Sequence, residues 1–188
     1  MLYLSKGVVC KGSTEDKLHI ARGNDIFILE DLEAEVWLEG RFKMVSFPDT
    51  KDYEDVILSL SAKGLAEFEY RSDAISQFRL LSRCICCPAK TKLLKKPLNK
   101  SEKTALDWLS NAGIRLTTAE LTYLFENEIL PTPSLMYEEN QQALVETIYT
   151  QNNIYDNILE NQMEKAKCRN EIVTVILMLL QKKRIVML

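Results

Sequence analysis

The stretch Val56-Ile57-Leu58-Ser59-Leu60-Ser61-Ala62-Lys63-Gly64-Leu65 decides the reading of this chain. With Tyr53 before it, Val56, Ile57 and Leu60 recur at helical spacing on one face, and Lys63-Gly64 is a stop, because glycine readily takes the left-handed conformation that ends a helix. The pattern returns near the end as Val175-Ile176-Leu177-Met178-Leu179-Leu180-Gln181-Lys182-Lys183-Arg184-Ile185. This internal echo divides the chain into two modules, each with an apolar helix that runs through a basic step into a strand.

Working outward from the first copy, Lys17 to Arg22 and Asp25 to Leu29 flank Gly23-Asn24. A two-residue turn between β-rich runs predicts a hairpin, and Val8-Val9-Cys10 adds a strand. A helix follows over Leu32 to Leu38, ended by Glu39-Gly40, and the next begins at Asp49-Thr50. After Gly64, Leu65 to Tyr70, the polar Arg71-Ser72-Asp73 and Ile75 to Leu81 read as a strand, a turn and a second extended segment.

The second module is mostly helical. Ser101 opens a helix bearing Leu106, Trp108 and Leu109 that stops at Asn111-Ala112-Gly113. Thr117 and Glu120 have the spacing of a capping box, in which each side chain takes a free backbone amide at a helix start. Pro131 and Pro133 break the chain. Further helices are predicted from Ser134 to Tyr149, Asn153 to Ala166 and Arg169 to Lys183, before a short strand over Arg184 to Leu188.

Between the modules, Pro88 to Lys103 carries six lysines against one glutamate, the composition of a linker. The expected organisation is a first module over 1–87, a basic linker over 88–100 and a second module over 101–188. From Leu116 to Glu164 there is no lysine or arginine among many acids, so that stretch does not lie against a polyanion.

The two echoing stretches are similar to the end of the recognition helix in winged-helix regulators, and Ile154 to Glu160 resembles the helix before it. This resemblance covers 17–83 and 140–188. It implies an α+β, predominantly helical fold of tandem winged-helix-like modules with an N-terminal β-hairpin. The first module, on Ala34-Glu35-Val36-Trp37-Leu38-Glu39-Gly40, also resembles the peptide-recognition domain associated with peptide-modifying enzymes. That second resemblance implies binding of a peptide as an added strand.

Composition narrows the class. With 188 residues, 46% of them apolar and a net charge of −3, the chain is long enough for a core and folded throughout. No apolar run spans a bilayer, and the N-terminus lacks a basic stretch followed by an apolar core, so the expected location is cytoplasmic, with no membrane partner. Five cysteines at irregular spacing read as reduced thiols rather than a disulfide framework. Cys84, Cys86 and Cys87 offer too few ligands for a closed zinc site, so alternation on a buried strand, with Cys84 and Cys86 on one face, is the preferred reading, and neither metal nor cofactor is expected. A single histidine, His19, and the absence of a phosphate loop or His-Glu-X-X-His helix argue against an enzyme.

Two functions remain. In the first, the protein is a DNA-binding transcriptional regulator that places Arg169, Asn170, Thr174, Gln181, Lys182 and Lys183 against double-stranded DNA, as recognition-helix docking requires. Ile172 to Leu180 is apolar almost all round, so a homodimer is expected to help cover it. In the second, the protein is a protein- or peptide-binding adaptor that uses the sheet edge of the first module. Basic residues clustered on one exposed face favour the first; an open strand edge beside apolar surface favours the second.

Overall fold

A computed structural model describes residues 1–14, 17–46, 50–89, 96–155 and 157–188. The first half comprises β1 (Leu2–Ser5), β2 (Val8–Val9), β3 (Lys17–Arg22), β4 (Asp25–Glu30), α1 (Asp31–Gly40), β5 (Val45–Ser46), α2 (Lys51–Ala62) and β6 (Ala66–Glu69). The second comprises α3 (Ala74–Ser82), β7 (Ile85–Pro88), α4 (Lys100–Asn111), β8 (Leu116–Thr117) and α5 (Thr118–Glu126), and continues through α6 (Pro133–Met136) and a 3-10 turn. It closes with α7 (Gln141–Ile148), α8 (Ile158–Met163), α9 (Arg169–Gln181) and β9 (Ile185–Met187). The protein is α+β.

Among the described residues, three small sheets have the orders β5-β1-β6, β2-β3-β4 and β8-β7-β9, with every pairing antiparallel. The first and third share a plan. In each, the strand that comes first in sequence lies in the middle, a two-residue strand flanks it, and the strand that follows a long helix completes the other side. The hairpin β3–β4 with β2 is inserted in the first unit, and α5 to α8 precede α9 in the second.

The repeat extends to single hydrogen bonds. At the end of α2, Lys63 N–H donates to Ser59 O, Gly64 N–H to Ser61 O and Leu65 N–H to Leu60 O. At the end of α9, Lys182 donates to Met178 O, Lys183 to Leu180 O and Arg184 to Leu179 O in the same register. These bonds satisfy carbonyls that a helix end otherwise leaves unpaired. The residue that turns the chain is left-handed in both, Gly64 at φ 68° and Lys183 at φ 54°.

Two buried clusters form the core. Tyr3, Trp37, Ile57, Leu60 and Leu65 anchor the first, while Phe78, Trp108, Leu121, Ile172, Ile176 and Leu179 anchor the second. Successive side chains on a strand face opposite ways, so β1 serves both: Tyr3 enters the first core, and Leu2 and Leu4 enter the second. The second core also takes Leu80, Leu81, Cys84 and Cys86. Thus α3 and β7, which the sequence places in the first module, pack with the second. Of the lysine-rich segment, residues 90–95 lie outside the described residues.

The predicted extended segment over Ile75 to Leu81 is instead the helix α3. Asp73 decides this, because its side chain accepts from Ile75 N and Ser76 N and so satisfies amides of a first helical turn. The helix buries Phe78, Leu81 and Ser82 at helical spacing. Two other helices are shorter than expected. The one predicted from Ser134 is interrupted at Tyr137, whose backbone is extended. The one predicted from Asn153 starts at Ile158, because the buried Asn153 amide donates to Ile148 O at 2.6 Å and closes α7. The capping box of Thr117 with Glu120 is formed, and the helix expected to open at Ser101 is capped instead by Asn99, in a second capping box with Glu102.

Candidate binding surfaces

Helix α9 carries the residues assigned to DNA by the sequence. Asn170, Thr174 and Gln181 are exposed along it. Arg169 is tied locally, as Nη1 donates to Glu164 O at 2.5 Å while Nε and Nη2 donate to Asn170 Oδ1 at 3.1 and 2.9 Å. Thr174 Oγ1 donates to Asn170 O at 2.9 Å. At the far end, Lys182 Nζ lies 2.7 Å from both carboxylate oxygens of Glu102 and also donates to Pro97 O at 3.0 Å. Lys183 lies 5.2 Å from the centroid of the Phe42 ring.

Arg169 and Asn170 therefore lie at one end of a 13-residue helix and Gln181, Lys182 and Lys183 at the other, roughly 20 Å apart, with Thr174 near its middle. Lys182, the cation with the most restricted setting, is committed to Glu102, which is 1% exposed. Burial pushes the Glu102 carboxyl up, but hydrogen bonds from Lys182 and the Asn99 N–H outweigh it and hold the group below the usual carboxylate range. Nor does α9 wait for a second subunit. Ile172, Val173, Val175, Ile176, Leu179 and Leu180 are buried within the chain, where α9 packs on α3, α4 and α5.

Cys84 and Cys86 are packing residues. Cys84 Sγ donates to Leu80 O, and Cys86 Sγ contacts Thr118 Oγ1 and Met187 Sδ, each at 3.8 Å. Burial pushes the Cys86 thiol up to about 12 and moves Cys84 in the same direction. Among the described residues, no group of three His, Cys, Asp or Glu side chains is placed to hold a metal ion, and no helix is long and apolar enough to cross a membrane.

A different surface stands out on β2-β3-β4. Alternation turns Leu18, Ile20, Phe27 and Leu29 toward the first core and the residues between them outward. Val8 pairs with Ala21, Ala21 with Ile26, and His19 with Ile28, so these side chains share the outer face. Ile26 is 64% exposed, Ile28 52% and Val8 42%. Strand β4 is the edge of this sheet, and among the described residues the backbone of Asp25 to Leu29 bonds only to β3. Acidic groups bracket it: Asp25 is exposed, and Glu30 pairs with Lys17 at 2.7 Å, a hydrogen bond that holds the Glu30 carboxyl below its usual range.

The signal for Ile26 and Ile28 was present in the sequence. A strand that reads Ile26-Phe27-Ile28-Leu29 is apolar on both faces, and such a strand either lies between two layers or leaves one face uncovered. Here only one face is covered. Other exposed apolar side chains, such as Leu130, Tyr137 and Tyr155, belong to connecting segments rather than to a sheet. No family model matches this chain, and neither a curated protein nor a solved structure matches it.

Proposed function

We propose that the protein is a non-catalytic binding protein that captures an extended peptide segment of a partner as an added strand on β4. The observation that carries this reading is the pairing of an unbonded strand edge with two outward isoleucines, Ile26 and Ile28, more than half exposed. Strand addition draws affinity from main-chain hydrogen bonds and specificity from alternate side chains. The partner segment would carry apolar residues at every second position and basic residues near its ends, complementary to Asp25, Glu30 and Asp31. The repeated strand–helix–strand plan, with its shared helix ending at Gly64 and Lys183, supports reading both units as winged-helix-like, and the first as akin to peptide-recognition domains.

The test is selection of short linear peptides from a random display library by the intact protein and by an Ile26→Lys/Ile28→Lys variant. The expected result is enrichment of alternating apolar, basic-ended peptides, lost in the variant, with slowed amide exchange over Asp25 to Leu29 when such a peptide binds. Peptides that bind both proteins equally, or no enrichment at all, would sink the proposal.

DNA binding is the second reading, favoured by the exposed Asn170, Thr174 and Gln181 on α9. Its test is retention of DNA fragments across a salt series by the intact protein and by Arg169→Glu. Salt-sensitive retention lost in that variant would support it, and no retention at low salt would exclude it.

A further inference from the structure

We infer that the cavity between β2 and β9 is a binding site for a small apolar carboxylate, held through Arg41. The cavity, of about 390 Å³, is walled by Val8 and Val9 of β2, Phe42, Pro88 and Val186 of β9, with Arg41 and Cys87 among its lining residues. It falls within the size range of small-molecule sites, which combine apolar walls with few polar groups. It lies where the two strands part beyond the Gly7 N–H to Met187 O hydrogen bond of 2.8 Å. It is on the opposite side of the sheet order from β4, so it is independent of strand capture there.

Among the described residues, Arg41 is the only charged side chain lining it. The guanidinium is set by two aromatic rings, with its carbon 4.6 Å from the Phe42 centroid and 5.6 Å from that of Trp37. Stacking fixes the plane of the fork without satisfying its donors. Among the described residues it forms no ion pair, and its Nε is buried without a hydrogen-bond partner. A buried polar group in this state is costly unless something else supplies the acceptor.

The surroundings point to the sign of that missing group. The Lys183 ammonium lies over the same Phe42 ring at 5.2 Å, and Arg115 is close enough to Cys87 to act on its thiol. Arg184, whose carbonyl accepts from the rim residue Ala89 at 2.7 Å, also keeps a buried Nε without a partner among the described residues. Among the described residues, no aspartate or glutamate side chain lines the cavity. A planar carboxylate matches the guanidinium fork, and a hydrocarbon body matches the valines and Phe42. A phosphate or nucleotide would leave those walls against polar oxygens.

The test uses octanoate, with octanol as the uncharged probe of equal length. In the intact protein, octanoate should saturate binding by calorimetry and shield Cys87, identified by mass spectrometry, from N-ethylmaleimide. Arg41→Met keeps the side-chain bulk and removes the charge. It should weaken octanoate at least about tenfold, as expected for one charge-assisted hydrogen-bonded pair, and leave octanol unchanged. Val186→Phe, which fills the cavity and spares Arg41, should abolish both binding and shielding and serves if Arg41→Met does not fold. Unshielded Cys87 at saturating octanoate, or equal octanoate binding in both variants and the intact protein, would overturn the assignment.

Discussion

Lys182 and Glu102 form the same bridge in the second unit that Lys63 and Glu33 form in the first: the basic residue that caps a long helix, α9 or α2, meets the third residue of an earlier helix, α4 or α1. The distances are 2.7 Å and 2.5 Å. The settings differ, because Glu102 is 1% exposed and Glu33 26%. Removing one partner of a buried pair strands the other charge, whereas a partly solvated pair is screened. Glu102→Ala should therefore cost about 2–3 kcal/mol and Glu33→Ala no more than about 1 kcal/mol, with urea unfolding as the measurement. Equal losses would mean that burial does not set the difference.

Much of this repeat was legible from residues alone. The echo of Val56 to Leu65 in Val175 to Ile185 marked the one place where local pattern and long-range architecture coincide, since a helix stop depends on nearby residues. The hairpin around Gly23-Asn24 and the capping box of Thr117 with Glu120 were legible for the same reason. The α3 helix was not, because Asp73 caps it with a signal shared by turns, and short apolar runs do not separate helix from strand. The candidate sites were least legible. That Lys182 faces Glu102, 80 positions away, is a tertiary fact that charge counting on α9 does not contain.

Acid should release the same bridge. The Glu102 carboxyl is held below the usual range, so the folded state binds its proton less readily than the unfolded chain. Its contribution is complete above the ordinary carboxylate pKa and drains as pH falls through the folded value. Asp73 and Glu126, lowered chiefly by backbone N–H donors at Ser76 and Cys168, act in the same sense. Glu160, raised first by its burial, acts in the opposite one. The intact protein should lose stability between neutral pH and roughly pH 3.5, and Glu102→Gln should show a smaller loss over that range in urea titrations at both pH values.

The two helix ends make a matched backbone experiment. Gly64 occupies φ 68° without strain, and a Cβ there would also press on the Arg22 guanidinium at 2.1 Å. Gly64→Ala should cost about 1 kcal/mol or more. Lys183 holds the equivalent conformation at φ 54° with a side chain, so Lys183→Gly relieves strain but gives up the contact with Phe42. The two effects are of similar size, and its net change should stay within about 0.5 kcal/mol. Thermal unfolding of both variants measures the contrast.

Thiol reactivity should separate the cysteines by burial. Cys84 and Cys86 are buried, with thiols pushed up by that burial, while Cys10, Cys87 and Cys168 are half-buried. Since the thiolate is the reactive form, Cys84 and Cys86 should resist N-ethylmaleimide in the native protein and react on unfolding in urea. Modification of either at native conditions, mapped by mass spectrometry, would mean that the segment from the end of α3 through β7 opens without global unfolding.

The choice of variant matters for any test of α9 against DNA. Lys182→Glu would set a second carboxylate against the buried Glu102, in place of the ammonium 2.7 Å away, and remove the donor to Pro97 O. Such a protein should lose several kcal/mol of stability, on the order of a broken buried pair with like-charge repulsion added. Arg169→Glu keeps the core intact, because among the described residues the Arg169 side chain bonds only to Glu164 O and Asn170 Oδ1 at the near end of the helix. If Arg169→Glu unfolds at the same urea concentration as the intact protein while Lys182→Glu unfolds much earlier, Lys182 is a structural cation. Loss of DNA retention in a Lys182 variant then reports on folding, and only the Arg169 variant speaks to recognition.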